Sequence, residues 1–331
     1  MKQNPSERGT DMDVRRRQAL AAGLLLAAGL PVAGQELPRL IRIVVPFAPG
    51  ASNDAIARAI QPQLARRLDT TVIVENRPGA GSIIGSDAVA KGPKDGSMLL
   101  LSSQTFLTSA ATAAKLPYDA IASFAPIAMI GQNPSVVAVS AASPYRSLGE
   151  VIAAARARPD ALTYASAGIG SSGHMATERL LAETGVQMRH VPYKGAAIAA
   201  VDLASGQVDF MVSSYGTLAP HIRSGKLRVL ASTGSRPHPS FPHVPLVSAT
   251  VPGFLHEVWV GVFAPAGTPV AVVERLNREI NAISAAPELK PLFEPDGIEP
   301  AALTAPAFAA HVRTDLAQWK QIAASRKITV D

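Results

Sequence analysis

Residues 168–173 (GIGSSG) form a glycine-rich loop with the spacing G-x-G-x-x-G, between the apolar run Leu162–Ala165 and a segment with helical periodicity. In a dinucleotide-binding site, the next strand ends in an acidic residue that binds the ribose hydroxyls. Here the next strand lies in His190–Lys194 and contains no acid, so the spacing does not indicate NAD or FAD. We interpret the loop as a helix N-terminus whose free N–H groups suit an anion. If this loop were the only one of its kind in the chain, an ordinary turn that caps the helix would be the better interpretation.

A second loop of this kind, residues 46–54 (PFAPGASND), follows the first predicted strand and opens the first predicted helix. Open α/β sheets bind ligands at the carboxyl ends of their strands, and both loops lie at such ends. Two helix N-termini that face each other would donate hydrogen bonds to both ends of a small dianion, without a buried arginine. Asp54 does not suit an anion site. We favour a role in satisfying N–H groups of the first helical turn over a role as acceptor for a ligand amine or hydroxyl.

Residues for catalysis, metal binding or nucleic-acid binding do not form the required patterns. The chain has no cysteine, and its seven histidines lack the spacing of a metal site. There is no G-x-S-x-G elbow, and His174 lies one helical turn from Ser171, where a local hydrogen bond is the simpler expectation. The formal net charge of +6 is spread without Lys/Arg clusters. We therefore expect no catalytic residue, no cofactor, no metal and no nucleic-acid partner.

Residues 1–34 have the order of residues found in an export signal. Arg15–Arg17 precede the apolar run Ala19–Leu30, which is too short to span a bilayer and is followed by small residues. We predict cleavage before Gln35. The Sec and the twin-arginine routes both stay open, as does a start at Met12 instead of the first methionine.

The rest of the chain alternates predicted strands and helices, which indicates parallel sheets covered on both faces. The predicted strands are Leu40–Phe47, Thr71–Glu75, Ser97–Ser102, Leu162–Ala165, His190–Pro192, Val208–Val212 and Leu227–Ala231. The predicted helices are Ser52–Leu68, Ser82–Ala90, Leu148–Ala157, Gly173–Thr184, Ala196–Ser205, Pro269–Ala285 and Pro306–Ser325. Two apolar segments, Ser135–Ser140 and His256–Ala264, are predicted to cross between two α/β domains. The first domain is then discontinuous, residues 38–137 plus 257–331, and the second is residues 138–256.

Several longer motifs occur in a fixed order within residues 40–325: RIVVPFAPGASNDAIAR, ENRPGAG, VPYKG and APAGTP. Together they resemble the Bug-type, TctC-like receptors of tripartite tricarboxylate transporters. The resemblance implies a periplasmic, monomeric, two-domain Venus-flytrap protein with type II binding-protein topology and a two-strand hinge. It implies a solute receptor that takes a small carboxylate, or an amino or aromatic acid, and delivers it to the membrane components of the transporter. There are two alternatives. One is a hydrolase or isomerase with the same two-domain fold, and the other is a receptor that passes a signal to a signalling partner.

The resemblance also implies which residues contact the ligand. From the first loop they are Phe47, Ala48, Gly50, Ala51, Ser52, Asn53 and Asp54. From the second loop they are Ser166, Ala167, Gly168, Ile169, Gly170, Ser171 and His174. Neighbours at other strand ends are Ser102, Ser103, Gln104, Ser213 and Tyr215. If Ile169 and Tyr215 face the cleft, they favour a ligand with an apolar or ring portion.

Overall fold

The computed structural model describes residues 37–330, and these residues belong to one compact unit. The predicted signal peptide, residues 1–34, lies outside the described residues. Within the described part of the chain, no helix is long and apolar enough to cross a membrane.

The described residues form a continuous mixed sheet with helices on both faces. Its strands are β1 (Leu40–Val45), β2 (Thr71–Asn76), β3 (Met98–Ser103), β4 (Phe124–Ser140), β5 (Thr163–Ser166), β6 (Arg189–Pro192), β7 (Phe210–Ser214), β8 (Leu227–Ser232), β9 (Glu257–Pro265) and β10 (Glu299–Pro300). The helices are α1 (Ser52–Leu68), α2 (Ile83–Ala90), α3 (Thr105–Thr112), α4 (Leu148–Ala157), α5 (Ser172–Thr184), α6 (Ala196–Ser205), α7 (Tyr215–Arg223), α8 (Val270–Ser284), α9 (Lys290–Phe293) and α10 (Ala305–Ser325). The main strand order is β2-β1-β3-β9-β4-β7-β5-β6.

The first parallel block consists of β2, β1 and β3, with β1 in the centre. Ile43 and Val44 of β1 are both buried although they point to opposite faces, as expected for a parallel strand covered on both sides. Helix α1 covers one face through Ile56, Ile60 and Leu64, which recur every four residues and are buried. Local periodicity therefore predicts the central strand and the covering helix of this block.

The second parallel block consists of β6, β5 and β7, with β5 in the centre. Val151 of α4 and Leu180 of α5 pack in the core on one face of this block. Leu203 of α6 and Leu218 of α7 pack in a separate core on the other face. Both faces are thus covered by helices, as in the first block.

Strand β4 connects the two blocks, because its two parts pair with different strands. Phe124–Pro134 pairs antiparallel with β9, whereas Ser135–Ser140 lies among the residues that pair with β7 and β8. Irregularities in the β4–β9 register lie between Pro126 and Ala128 and between Met129 and Gly131. Bulges of this kind accommodate residues such as proline that cannot continue a regular ladder.

The carboxyl ends of the two parallel blocks meet at the middle of β4. Strand β3 ends at Ser103, which pairs with Val260 of β9, and Val260 pairs with Gly131 of β4. From the other block, β7 ends at Ser214, which pairs with Ser135 of β4. The strands of the two blocks therefore point towards each other with their carboxyl ends, and the helices that follow these strands begin close together.

The two long C-terminal helices, α8 and α10, both pack in cores that include residues of the first block. Helix α8 buries Leu276 and Ile280 in the same core as β1 and α1. Helix α10 buries Phe308 and Trp319 in the core that contains Phe263 of β9. The chain thus returns to the first block, as the discontinuous first domain requires.

The predicted α/β alternation is confirmed, with most bounds shifted by one or two residues. Three helices of residues 37–330 were not predicted: α3, α7 and the four-residue α9. Strand β4 is 17 residues long, whereas only its last part, Ser135–Ser140, was predicted. The domain boundaries after residues 137 and 256 remain a prediction.

Candidate functional site

A cavity of about 460 Å³ lies where the two parallel blocks meet. Most of its polar lining consists of hydroxyl and amide side chains: Ser52, Asn53, Ser103, Thr105, Ser109, Asn133, Ser171, Ser172, Ser213, Ser214 and Thr217. Its larger apolar side chains are Phe47, Ile56, Ile169, Met211, Val212, Val258, Val260 and Ile298. No Lys, Arg or His of residues 37–330 lines it. The cavity therefore suits a small molecule that has polar ends and a short carbon skeleton.

Five helices begin at the cavity wall, because each follows a strand whose carboxyl end lies there. Their first turns or caps contribute Ser52 of α1, Thr105 of α3, Ser172 of α5, Ala196 of α6, and Ser214 and Thr217 of α7. The first N–H groups of a helix have no partner within the helix and carry a partial positive charge. The cavity can therefore bind an anion with backbone N–H groups in the absence of a cationic side chain.

The loop between β1 and α1 is fixed by Asp54, which does not line the cavity. Its carboxylate accepts hydrogen bonds from the backbone N–H of Gly50 at 2.9 Å, from Arg58 Nε at 3.0 Å and from Asn76 Nδ2 at 2.9 Å. The Arg58 side chain and the Gly50 N–H, with Asn76, hold the pKa of this carboxyl down at about 2. Asp54 therefore stabilises the loop that presents Ser52 to the cavity.

The loop between β5 and α5 is fixed by its own hydrogen bonds. Ser171 caps α5, because its Oγ accepts from the His174 N–H at 3.4 Å and donates to the Gly168 carbonyl at 2.7 Å. The Gly170 N–H donates to His174 Nδ1 at 3.1 Å, so His174 has the predicted local role. Gly170 has a φ of +77°, and a Cβ there would lie 2.6 Å from Thr112 Oγ1. Gly170 thus permits contact with α3, and it does not line the cavity.

A serine–histidine contact lies behind this second loop. Ser166 Oγ is 2.7 Å from His190 Nε2, and the His190 ring stacks on that of His174 with 4.0 Å between ring centres. Burial lowers the pKa of both His174 and His190 to about 4, so both rings are neutral at pH 7. Ser166 is fully buried, and neither it nor His190 lines the cavity. The contact therefore provides no nucleophile that a substrate in the cavity could reach.

The structure brings eight of the predicted contact residues to the cavity wall: Phe47, Ser52, Asn53, Ser103, Ala167, Ile169, Ser171 and Ser213. Of these, Ile169 is about half exposed, at 49%. An apolar group therefore borders the opening, as predicted if Ile169 faces the cleft.

Other predicted residues do not line the cavity, and they support it or lie behind it: Ala48, Gly50, Ala51, Asp54, Ser102, Gln104, Ser166, Gly168, Gly170, His174 and Tyr215. Gln104 is directed away from the cavity, since its Nε2 donates to Asp315 Oδ2 at 3.1 Å. Tyr215 is buried, and its ring packs edge-on against Phe241 with 5.0 Å between ring centres. A strand end or a helix start gives a residue's place along the chain but not the face to which its side chain points.

Several lining residues were missed because no local signal indicates them. Thr105 and Ser109 belong to the unpredicted α3, and Thr217 to the unpredicted α7. Asn133 lies in the unpredicted part of β4. Asp296 is the only ionisable side chain that lines the cavity within residues 37–330, and it comes from a short turn near the C-terminus.

Together, the fold and the cavity define an α/β binding protein that holds a small solute between two parallel blocks. The chain belongs to the TctC family: the model of the tripartite tricarboxylate transporter family receptor matches residues 56–328. It is 38% identical to a UPF0065 protein from the tcbD-tcbE intergenic region of Pseudomonas sp., over 94% of each chain. It is 33% identical to protein BugT of Bordetella pertussis, over 93% of this chain and 96% of BugT.

Solved structures show the same architecture. The periplasmic binding protein BugD is 31% identical and has a TM-score of 0.76, over 88% of this chain and 98% of BugD. An R. palustris protein solved with adipate is 30% identical with a TM-score of 0.78, over 91% and 99%. MatC from Rhodopseudomonas palustris, solved with bound malate, is 28% identical with a TM-score of 0.75, over 88% and 99%.

These comparisons confirm the predicted family and the fold class of a periplasmic binding protein. They also confirm the class of a solute-binding receptor instead of an enzyme.

Proposed function

We propose that this protein is an extracytoplasmic receptor that binds a small carboxylate in the cavity between its two parallel blocks. The convergence of five helix N-termini on a cavity that no Lys or Arg of residues 37–330 lines carries the proposal. Backbone N–H groups at helix starts donate to carboxylate oxygens, and the helix dipoles favour the negative charge. Malate and adipate, which solved relatives bind, have this chemistry.

The two loops supply the donors for the carboxylate, and the apolar wall accepts the carbon skeleton. Ser52 and Ser171 lie on opposite blocks, so a ligand between them contacts both. Phe47 and Ile169 border the same cavity and favour a ligand with an apolar or ring portion. Ligand contact with both blocks favours their closure around it, with β4 and β9 as the hinge.

The family also supports the cellular role that we propose. After export and removal of residues 1–34, the receptor acts as a monomer in the periplasm. It delivers its ligand to the membrane components of a tripartite tricarboxylate-type transporter. The family description names this transporter class, and BugD is a periplasmic protein.

A panel of small acids tests the proposal by thermal shift and titration calorimetry on the purified protein. The panel contains short dicarboxylates, hydroxy acids, amino acids and aromatic acids, with uncharged amides of the same skeletons as controls. At a concentration 100 times Kd, a ligand stabilises the folded state by about 2.7 kcal/mol, which gives a clear rise in Tm. We expect at least one acid to bind and its amide not to bind. Binding of no acid, or equal binding of an acid and its amide, would contradict the proposal.

A further inference from the structure

Asp296 gives the cavity a negative group in a wall that otherwise favours anions. Its carboxylate lies against the first turn of α7, since a Cβ added to Gly216 would be 2.5 Å from Asp296 Oδ1. The backbone around Asp296 is fixed independently, because its carbonyl accepts a hydrogen bond from Asn133 Nδ2 at 3.4 Å. The side chain is therefore held at the cavity on the side of α7.

No Lys or Arg side chain of residues 37–330, the described part of the chain, forms an ion pair with this carboxylate. Among these residues, the structure also shows no hydrogen bond that a side chain or a backbone N–H donates to its carboxylate. Asp54, the acid near the opposite wall, differs in both respects, because Arg58, Asn76 and the Gly50 N–H satisfy it. Asp296 thus keeps its acceptor capacity for a group inside the cavity.

The cavity is consequently asymmetric in charge. The starts of α1, α3, α5 and α6 favour a negative group, whereas at the start of α7 a protein carboxylate already occupies the favourable position. A second carboxylate beside Asp296 would be repelled, and partial burial strengthens that repulsion. An ammonium group at the same place would gain a charge-assisted hydrogen bond.

We propose that Asp296 is a specificity-determining residue that favours ligands with an amine or another cationic donor at the end remote from the carboxylate. It disfavours dicarboxylates of the same length. The inference rests on the proposed function, since it concerns the second end of a ligand whose first end is a carboxylate.

Three probes with the same carboxylate end test the inference by calorimetry: pentanoate, 5-aminopentanoate and adipate. They present a methyl, an ammonium and a second carboxylate at the remote end. We expect 5-aminopentanoate to bind at least about tenfold more tightly than adipate, the factor that one charge-assisted hydrogen bond supports. Asp296→Asn should remove this preference, mainly through tighter binding of adipate, whereas Asp296→Glu should retain its direction.

Glu294→Gln is the matched control, because it removes an exposed carboxylate from the same turn outside the cavity. It should leave the ranking of the three probes unchanged. Adipate binding as tightly as 5-aminopentanoate to the unmodified protein overturns the inference, and this result needs no variant. No detectable binding of 5-aminopentanoate, or an unchanged ranking in a folded Asp296→Asn variant, also overturns it. In each of these cases, binding of any acid in the panel leaves the proposed function standing, whereas the absence of all binding removes both.

Discussion

At the scale of single residues, the two acids near the cavity have opposite roles. Asp54 is the last residue of the predicted loop 46–54, and its carboxylate accepts hydrogen bonds from Arg58, Asn76 and the Gly50 N–H. Asp296 lies far along the chain, and its carboxylate at the cavity has no such partner among residues 37–330. From the sequence, a role as acceptor for a ligand amine was the less favoured interpretation of Asp54. The structure favours Asp296 for that role instead.

The low pKa of Asp54 makes a prediction about acid stability. Folding lowers this pKa from 3.8 to about 2, so the carboxylate stabilises the folded state above pH 3.8 and loses that contribution as pH falls through 2. We expect Asp54→Asn to be less stable than the unmodified protein at pH 7, and the difference to shrink steadily as the pH falls from 3.8 through 2. Urea unfolding at several pH values measures it.

Asp69→Asn is the control, since it removes a carboxylate at the other end of α1. The backbone at Asp69 has a φ of 51°, in the left-handed region that Asn tolerates, so the substitution causes no backbone strain. The same pH dependence in both variants would contradict the specific role of Asp54.

At the scale of elements, helix starts were predicted where the signal is local. The bounds of α1, α4 and α6 agree with the prediction, because local residues mark where these helices begin. A Pro-Gly turn precedes α1, Ser147 caps α4, and Gly195 precedes α6. Helix α3 was missed because it is only eight residues long and no side chain caps its start. Helix α7 contains Pro220, which argues against a helix when only the sequence is read.

Two serines that cap helices, Ser171 and Ser147, allow a role in stability to be distinguished from a role in ligand binding. Ser171 caps α5 and lines the cavity, whereas Ser147 caps α4 in the same way, with its Oγ accepting from the Glu150 N–H at 3.2 Å, and does not line it. Replacement of either serine by alanine should lower the unfolding free energy by about 1 kcal/mol. Only Ser171→Ala should also weaken binding of the acids found in the panel, severalfold or more, because the hydrogen bonds of Ser171 to Gly168 and His174 hold the loop that lines the cavity in place.

Urea unfolding and calorimetry on both variants measure these effects. Equal affinities in Ser171→Ala and Ser147→Ala would show that Ser171 acts as a cap alone.

At the scale of the whole molecule, the C-terminus is attached to the second block by an ion pair. Arg326 Nε, just after α10, lies 2.5 Å from Glu178 Oε2 of α5. Glu178 also accepts a hydrogen bond from the Tyr164 hydroxyl, and burial together with the Glu178 charge raises the pKa of that hydroxyl. The carboxylate is buried, so it depends on Arg326 for compensation of its charge.

Arg326→Gln should therefore lower the unfolding free energy by about 2 kcal/mol, since it leaves a largely buried carboxylate without its cation. The matched control is Arg67→Gln, which breaks the more exposed pair with Glu279 at 3.1 Å. This control should cost less than about 1 kcal/mol. Urea unfolding of both variants at pH 7 measures the difference, and equal losses would show that the Arg326 pair does not hold the C-terminus to α5.

The sequence by itself determined most of the elements and the family of this protein. Strands, helices and cap loops depend on periodicity and on residues close together in the chain, so 46–54 and 168–173 could be identified as helix-opening loops. Only the tertiary structure decided which side chains meet. The register of β4 with β7 and β9 joins the carboxyl ends of two distant blocks, and a turn near the C-terminus adds Asp296. Pairing between strands that lie far apart in the chain sets this convergence, and no local pattern records it.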